Sequence, residues 1–365
     1  MDFYGEWVAL VTRCSDPSFR ILAARSLRKQ FRQLAEHLSG VRLGEDIESI
    51  HRARVASRRL RAALDMFRAC WKRKQVKAWN KQIRQLARNL GEARDHDVLI
   101  EFLASSLATV SDRVLVPGIA CLLNHVERQR QWIQPRVLKA IDQFEANGVL
   151  KAMQETVRST VEGAGDAPFV AGKHARGQAE KIIRKSVKGL LDEAPGLANP
   201  EQHEQHHAMR IAAKRLRYTL ELARPVYPAN LAEIVDTVKN LQTLLGEIHD
   251  CDVWVENFAE FAHKESCEIQ LYYGSPQRFE RMRPGLDYLR KERNDRRGQA
   301  FGELAAYWQQ LQDQAVWDRL ATILERGCSP EQSQNDKVLG GSLIVPPRCG
   351  MRRSGPSRAP RKRIQ

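Results

Sequence analysis

The sequence predicts an all-α protein built from a duplicated unit. Three observations predict it. Strand-like alternation is nearly absent, apolar residues recur at spacings of three and four, and motifs of the first half return 155–156 residues later.

Taken in chain order, Leu27, Phe31, Leu34 and Leu38 make the apolar stripe of a first helix. Leu60, Leu64 and Phe67 make a second, and Ile83, Leu86 and Leu90 a third. Breaks are expected near Gly40–Gly44, Ala164–Pro168, Pro195–Pro200 and Gly274–Pro276. Asn199-Pro200-Glu201 reads as an N-cap, a proline at the first helical position and an acid in the first turn. The ordered domain is expected over 14–327, with repeat one at about 14–160 and repeat two at about 170–327. Beyond it, 329–365 reads as a disordered basic tail rich in Pro, Gly and Ser.

Composition narrows the function. The chain has 365 residues with 59 Lys and Arg against 44 Asp and Glu, a net charge of +15. The tail holds eight of those cations and two acids, so about +9 remains on the folded part. A polyanionic partner is expected. Eighteen consecutive apolar residues occur nowhere, so no membrane span and no membrane partner are expected. Met1–Trp7 lacks the pattern of a signal peptide. Seven scattered cysteines without CxxC read as free thiols of a cytoplasmic protein.

The repeat has three blocks. Arg25, Arg28, Lys29 and Arg32 return as Lys181, Arg184, Lys185 and Lys188. His51, Arg54, Arg58 and Arg61 return as His207, Arg210, Lys214 and Arg217. Leu90-Gly91-Glu92-x-Arg94-Asp95-x-Asp97-Val98 returns as Leu245-Gly246-Glu247-x-His249-Asp250-x-Asp252-Val253. Three collinear matches with one slip of a residue identify an internal duplication.

On a helical wheel, His51, Arg54, Arg58 and Arg61 fall within about 80° of arc, opposite Ala56, Leu60, Leu64 and Phe67. That basic stripe is roughly 15 Å long. Residues 51–74 carry nine Lys and Arg against one acid, Asp65. Like charges at these spacings destabilise a helix unless solvent, acids or a bound polyanion offset them. A solvated surface is the plain alternative, but both copies keep cation type and spacing. Arginine offers a planar fork of donors matched to phosphate oxygens. Two basic helices per copy would supply about sixteen cationic or imidazole groups to one cleft. Such a cleft suits linear inorganic polyphosphate, which is dense in charge and has no bases to read. No aromatics interleave with the stripes, as single-stranded nucleic acid would want, so nucleic-acid binding is expected to be non-specific.

His51 and His207 read as phosphate contacts, structural residues or metal ligands, in that order of preference. Neither has a His four residues on nor a nearby Cys set, so no metal site is assigned. Asp95, Asp97, Asp250 and Asp252 read as partners of arginines within the unit, with Arg59 and Arg215 the candidates. Metal binding and acid catalysis are the lesser readings. Gly91 and Gly246 are expected to allow close helix packing.

At these blocks the sequence resembles the CHAD family, the conserved histidine α-helical domain. The resemblance covers about residues 14–327. It implies two tandem four-helix bundles related by internal pseudo-two-fold symmetry, with a basic central groove. It also implies binding of inorganic polyphosphate and association with polyphosphate granules in prokaryotic cells. Some relatives carry a CYTH triphosphatase domain, whose Glu-x-Glu-x-Lys strand pattern is absent from this sequence, so no enzymatic activity and no cofactor are expected. His249 stands where the first copy has Arg94, and Ala223 where it has Phe67, so the two halves are expected to bind unevenly.

Overall fold

The computed structural model describes residues 16–43, 47–165, 167–227 and 231–326, and all that follows concerns these. The N-terminal stretch and the tail at 329–365 lie outside them.

The described residues are mostly helical, with no strand among them. Ten α-helices exceed one turn. The first half supplies α1 (Ser18–Leu43), α2 (Ile47–Met66), α3 (Arg73–Thr109), α4 (Val116–Ala146) and α5 (Val149–Ala164). The second supplies α6 (Lys173–Leu191), α7 (His203–Ala223), α8 (Ala232–Tyr273), α9 (Arg283–Asp313) and α10 (Val316–Arg326).

Every apolar stripe read from the sequence is buried. Leu27, Leu34, Leu38, Leu60, Leu64, Phe67, Ile83, Leu86 and Leu90 are almost wholly withdrawn from solvent. The packing order of the halves is the same. In the first, α1 lies on α2, α2 on α3, α3 on α4, and α5 folds back on α1. In the second, α6 lies on α7, α7 on α8, α8 on α9, and α10 folds back on α6. Each half therefore has a fifth, shorter helix besides the four that the resemblance implies.

Equivalent helices also meet across the halves: α1 with α6, α2 with α7, and α4 with α9. The described residues form one compact unit that does not divide at the repeat boundary. One core cluster joins both halves around α2 and α7, and a smaller one joins the far ends of α3, α4, α8 and α9. The long helices α3 and α8 do not share this close packing across the halves. The space between them is the groove described below.

Two local expectations change. α1 continues through Gly40, where a break was expected. α7 begins at His203 with Gln202 as its cap residue, not at Asn199. A short 3-10 helix over Ala194–Ala198 intervenes, and Asn199 Oδ1 accepts the Glu201 N–H at 2.9 Å, closing a local turn instead of capping α7.

Gly91 and Gly246 are not close-packing sites either. A Cβ on Gly246 would meet nothing within 4 Å, and one on Gly91 would make ordinary contact with Arg54 Nε at 3.8 Å. The close approach lies at Gly118 and Gly285, near the starts of α4 and α9. A Cβ on Gly118 would sit 2.1 Å from the Met282 carbonyl oxygen, and one on Gly285 would sit 2.1 Å from that of Leu115. Only glycine lets these backbones touch.

Candidate anion-binding groove

The α2–α7 contact sets two basic faces side by side. α2 presents Arg54 and Arg58, and α7 presents Arg210 and Lys214. These are the same two positions of the repeat, so each half gives one matched pair. The apolar faces of both helices are buried, through Leu60 and Leu64 in α2 and Leu216 and Leu220 in α7, which leaves the cations turned outward. They line a groove of about 920 Å³ shared by both halves. α3 adds Asp95 and His96, and α8 adds Gly246, His249 and Asp250.

The groove is electrostatically tense. Burial lowers the Arg54 guanidinium from its ordinary value, and Arg58 adds to this. Burial lowers Arg210 likewise, with repulsion from Arg54 and with Asp250 opposing. The Lys214 ammonium is brought down to about 7 by burial and by Arg58, Arg210 and Arg54. Arg54 Nη2 donates to Asp95 Oδ1 at 3.1 Å. Burial raises the Asp250 carboxyl, against the pull of Arg210, although its side chain keeps contact with solvent.

The imidazoles sit at the edge of this cluster. His207 Nδ1 and His249 Nδ1 lie 3.1 Å apart, so one ring donates to the other. Burial, Arg210 and His207 hold His249 at about 4, and burial with Arg210 and Lys214 lowers His207. His51 is lowered by burial and by Arg94, the residue equivalent to His249. In the free groove all three rings are shifted toward the neutral form, which still carries one N–H donor.

The structure does not bring the cations of α1 and α6 to this groove. Arg25 Nη2 donates to the carbonyls of Gly165 and Ala167, at 3.0 and 2.8 Å. Arg28 and Arg32 line a small cleft against α5 with Arg158. Lys29 lies in a separate cleft with Arg59 and Glu221. Arg184 is held by Glu180 and Glu325, and Lys188 by Asp192, while Lys181 and Lys185 are exposed. The physical reason is the fifth helix of each half. It packs on α1 or α6, lying against Arg28 and Arg32 in the first half and reaching Arg184 through Glu325 in the second. Arg61 does not line the groove, and Arg217 is drawn to Glu221 at 3.2 Å beside the Tyr218 ring.

Asp95, Asp97 and Asp252 pair with arginines, but not with Arg59 or Arg215. Asp97, only 3% exposed, accepts from Arg130 Nε at 2.6 Å. Asp252 accepts from Arg297 Nε, with His203 Nδ1 at 2.9 Å. Glu92 and Glu247 bind Arg136 and Arg296 through both oxygens. These pairs tie α3 to α4 and α8 to α9. Arg59 instead lies 3.6 Å from Glu221. Among the described residues, no three His, Cys, Asp or Glu side chains are arranged to hold a metal ion.

Sequence reasoning missed the far wall, including Gln129, Asn257, Trp254 and Arg293. They lie outside the repeated blocks. Arg293, paired with Glu292, covers the rings of Phe102 and Trp254, at 4.3 and 5.6 Å from their centroids.

Long helices, an internal duplication and one cation-lined groove fed by both halves define an all-helical, internally repeated class. The chain belongs to the CHAD family, whose domain model matches residues 25–259. It is similar to an uncharacterized protein of Mycobacterium tuberculosis, 26% identical over 242 residues, 65% of this chain and 45% of that protein. The chain thus spans less than half the length of that relative. Among solved structures it is similar to the CHAD domain from the plant Ricinus communis. The identity is 27%, the TM-score 0.52, and 75% of this chain and 90% of that one are covered. PptA from Streptomyces chartreusis shares the fold at 18% identity and TM-score 0.56, covering 80% of this chain and 100% of that one. Among the described residues no helix is long and apolar enough to cross a membrane.

Proposed function

We propose that the protein binds inorganic polyphosphate in this groove without catalysing its turnover, and that it does so at polyphosphate granules. One observation carries the reading. Arg54 and Arg58 from one half, and Arg210 and Lys214 from the other, line the same groove. Matched pairs from two like halves suit a ligand that reads the same from either end. Linear polyphosphate does so, whereas a nucleic-acid strand has a direction.

The surroundings support binding over other roles. Of the aromatic residues lining the groove, Phe258 and Phe261 are buried and Trp254 is covered by Arg293, so no open stacking platform is presented to bases. Of the four acids a hydrolase could use, Asp97 and Asp252 are committed to Arg130 and Arg297 and Asp95 accepts from Arg54, and no three ligating side chains among the described residues are arranged to hold a metal ion. Family membership favours the same reading through the resemblance stated above.

The test is charge reversal in the full-length chain. Arg54→Glu with Arg210→Glu is expected to weaken polyphosphate binding about a hundredfold or more, since truncating charged contacts alone costs 2–5 kcal/mol. Neutralising the cations of 348–363 is expected to cost far less. Normal binding by the double variant, with binding lost on neutralising the tail, would place the site elsewhere.

A further inference from the structure

We infer that Asp95 and Asp250 are built-in counter-ions of the groove, and that they set its preference for ligands of high charge density. This rests on the groove being the polyphosphate site.

The repeated Asp-x-Asp motif divides into two jobs. Its second acid builds the fold. Asp97 and Asp252 hold Arg130 and Arg297, which stand at the same register of α4 and α9, twelve residues beyond Gly118 and Gly285. Its first acid takes no part in that clamp. Two residues along a helix the side chain has turned by about 200°. Asp95 and Asp250 therefore point away from α4 and α9 and line the groove.

There they stand among cations. Asp95 accepts from Arg54 at 3.1 Å, and both acids act on Arg54 and on Arg210. With Lys214 charged, the four cations of α2 and α7 face these two carboxylates, so the excess of that cluster is two instead of four; of the other charged groups lining the groove, Arg293 pairs with Glu292, Glu247 with Arg296, and Lys264 and Glu260 balance in charge. A ligand must replace those carboxylates on the guanidinium groups. An anion of low charge density exchanges one contact for another and gains little. A polyphosphate chain offers charge at every phosphorus with a single bridging oxygen between, so several groups compete at once. A nucleic-acid strand places a sugar between its phosphates and competes poorly.

The geometry also lets the acids yield. Asp95 is 67% exposed and can swing into solvent. Asp250 is exposed as well, and desolvation, with Asp95 nearby, makes its carboxyl readier to take a proton. Neither movement breaks the α3–α4 or α8–α9 clamps.

The experiment titrates the full chain and its Asp95→Asn/Asp250→Asn variant with long-chain polyphosphate, inorganic triphosphate and single-stranded DNA. The double variant should bind all three more tightly. Single-stranded DNA should gain about tenfold more than polyphosphate or triphosphate, whose phosphates share one close spacing, as expected for removing a charge contact in partly hydrated surroundings. Asp97→Asn is the control, and it should lower the melting temperature without raising affinity. Unchanged or weaker binding by a double variant with normal melting would overturn the inference and make these acids positioning residues for Arg54 and Arg210. Failure of the unsubstituted chain to bind polyphosphate would instead overturn the polyphosphate reading. In that case the counter-ion inference still requires the double variant to gain triphosphate binding, and it falls if none appears.

Discussion

Gly118 and Gly285 meet where α4 crosses α9, and each occupies the space that a Cβ on the other helix's glycine would need to share with a backbone carbonyl. Both follow a proline, Pro117 and Pro284, so the same dipeptide opens the same helix in both halves. The contact closes the smaller core cluster that Ile119 and Leu286, their neighbours, help to fill. It also holds α4 and α9, and through their arginine clamps α3 and α8, at the separation that makes the groove.

Gly118→Ala should therefore lower stability by about 1–3 kcal/mol, the usual cost of forced overpacking. Gly163→Ala in α5, where a Cβ meets nothing within 4 Å, should be neutral or stabilising by up to about 1 kcal/mol. Urea unfolding of both variants checks this. Equal stabilities would mean that α4 and α9 part without cost.

The links from α4 to α5 and from α9 to α10 use equivalent residues in left-handed backbone. Gly148 has φ +62° and Ala315 has φ +46°. A left-handed conformation costs a non-glycine residue roughly 1–2 kcal/mol. Ala315→Gly should raise the unfolding free energy by about 0.5–1 kcal/mol, after allowing for the greater freedom of glycine when unfolded. Gly148→Ala should lower it by about 1 kcal/mol. Thermal melts with opposite signs for the two substitutions are the expected result.

Lys214 should make binding depend on pH. Arg54 and Arg58 from α2, His207 and Arg210 from α7, and His249 and Asp250 from α8 surround it. Its ammonium is held at about 7, so the free groove has lost half of this charge at neutral pH. Bound polyphosphate favours the charged form and raises that value, so a proton is taken up on binding above pH 7. Affinity should be greatest below about pH 7 and fall as pH rises, by at most about tenfold per pH unit for one proton. Lys214→Arg keeps its charge throughout and should flatten the profile between about pH 7 and 9. Long chains are the ligand to use, because their inner phosphates stay ionised. A flat profile in the unsubstituted protein would contradict this account of Lys214.

The sequence made some of this legible and hid the rest for identifiable reasons. Stripes such as Leu27–Phe31–Leu34–Leu38 were readable because burial follows helical period. Arg54, Arg58, Arg210 and Lys214 were readable because the duplication preserved them in register. The wheel of α1 showed that Arg25, Arg28, Lys29 and Arg32 share a side. It could not show that α5 and the carbonyls of Gly165 and Ala167 would lie against that side. The partners of the Asp-x-Asp motif were hidden by a register change. Beyond the third block the repeat offset becomes 167, as Gly118 with Gly285, Arg130 with Arg297 and Gly148 with Ala315 all show. A longer α8 and an extra turn at Gln277–Glu280 account for the added residues. A search for the Pro-Gly dipeptide at that offset would have found the crossing of α4 and α9.

The central claim is that the paired cations of the two halves form a polyphosphate site. Calorimetric titration of the full chain with long-chain polyphosphate, repeated over a series of salt concentrations with single-stranded DNA of similar charge as competitor, tests it most directly. The account predicts binding that weakens with salt, survives excess DNA, and is lost in the Arg54→Glu/Arg210→Glu variant. Binding that DNA abolishes, or that the double variant retains, would contradict it.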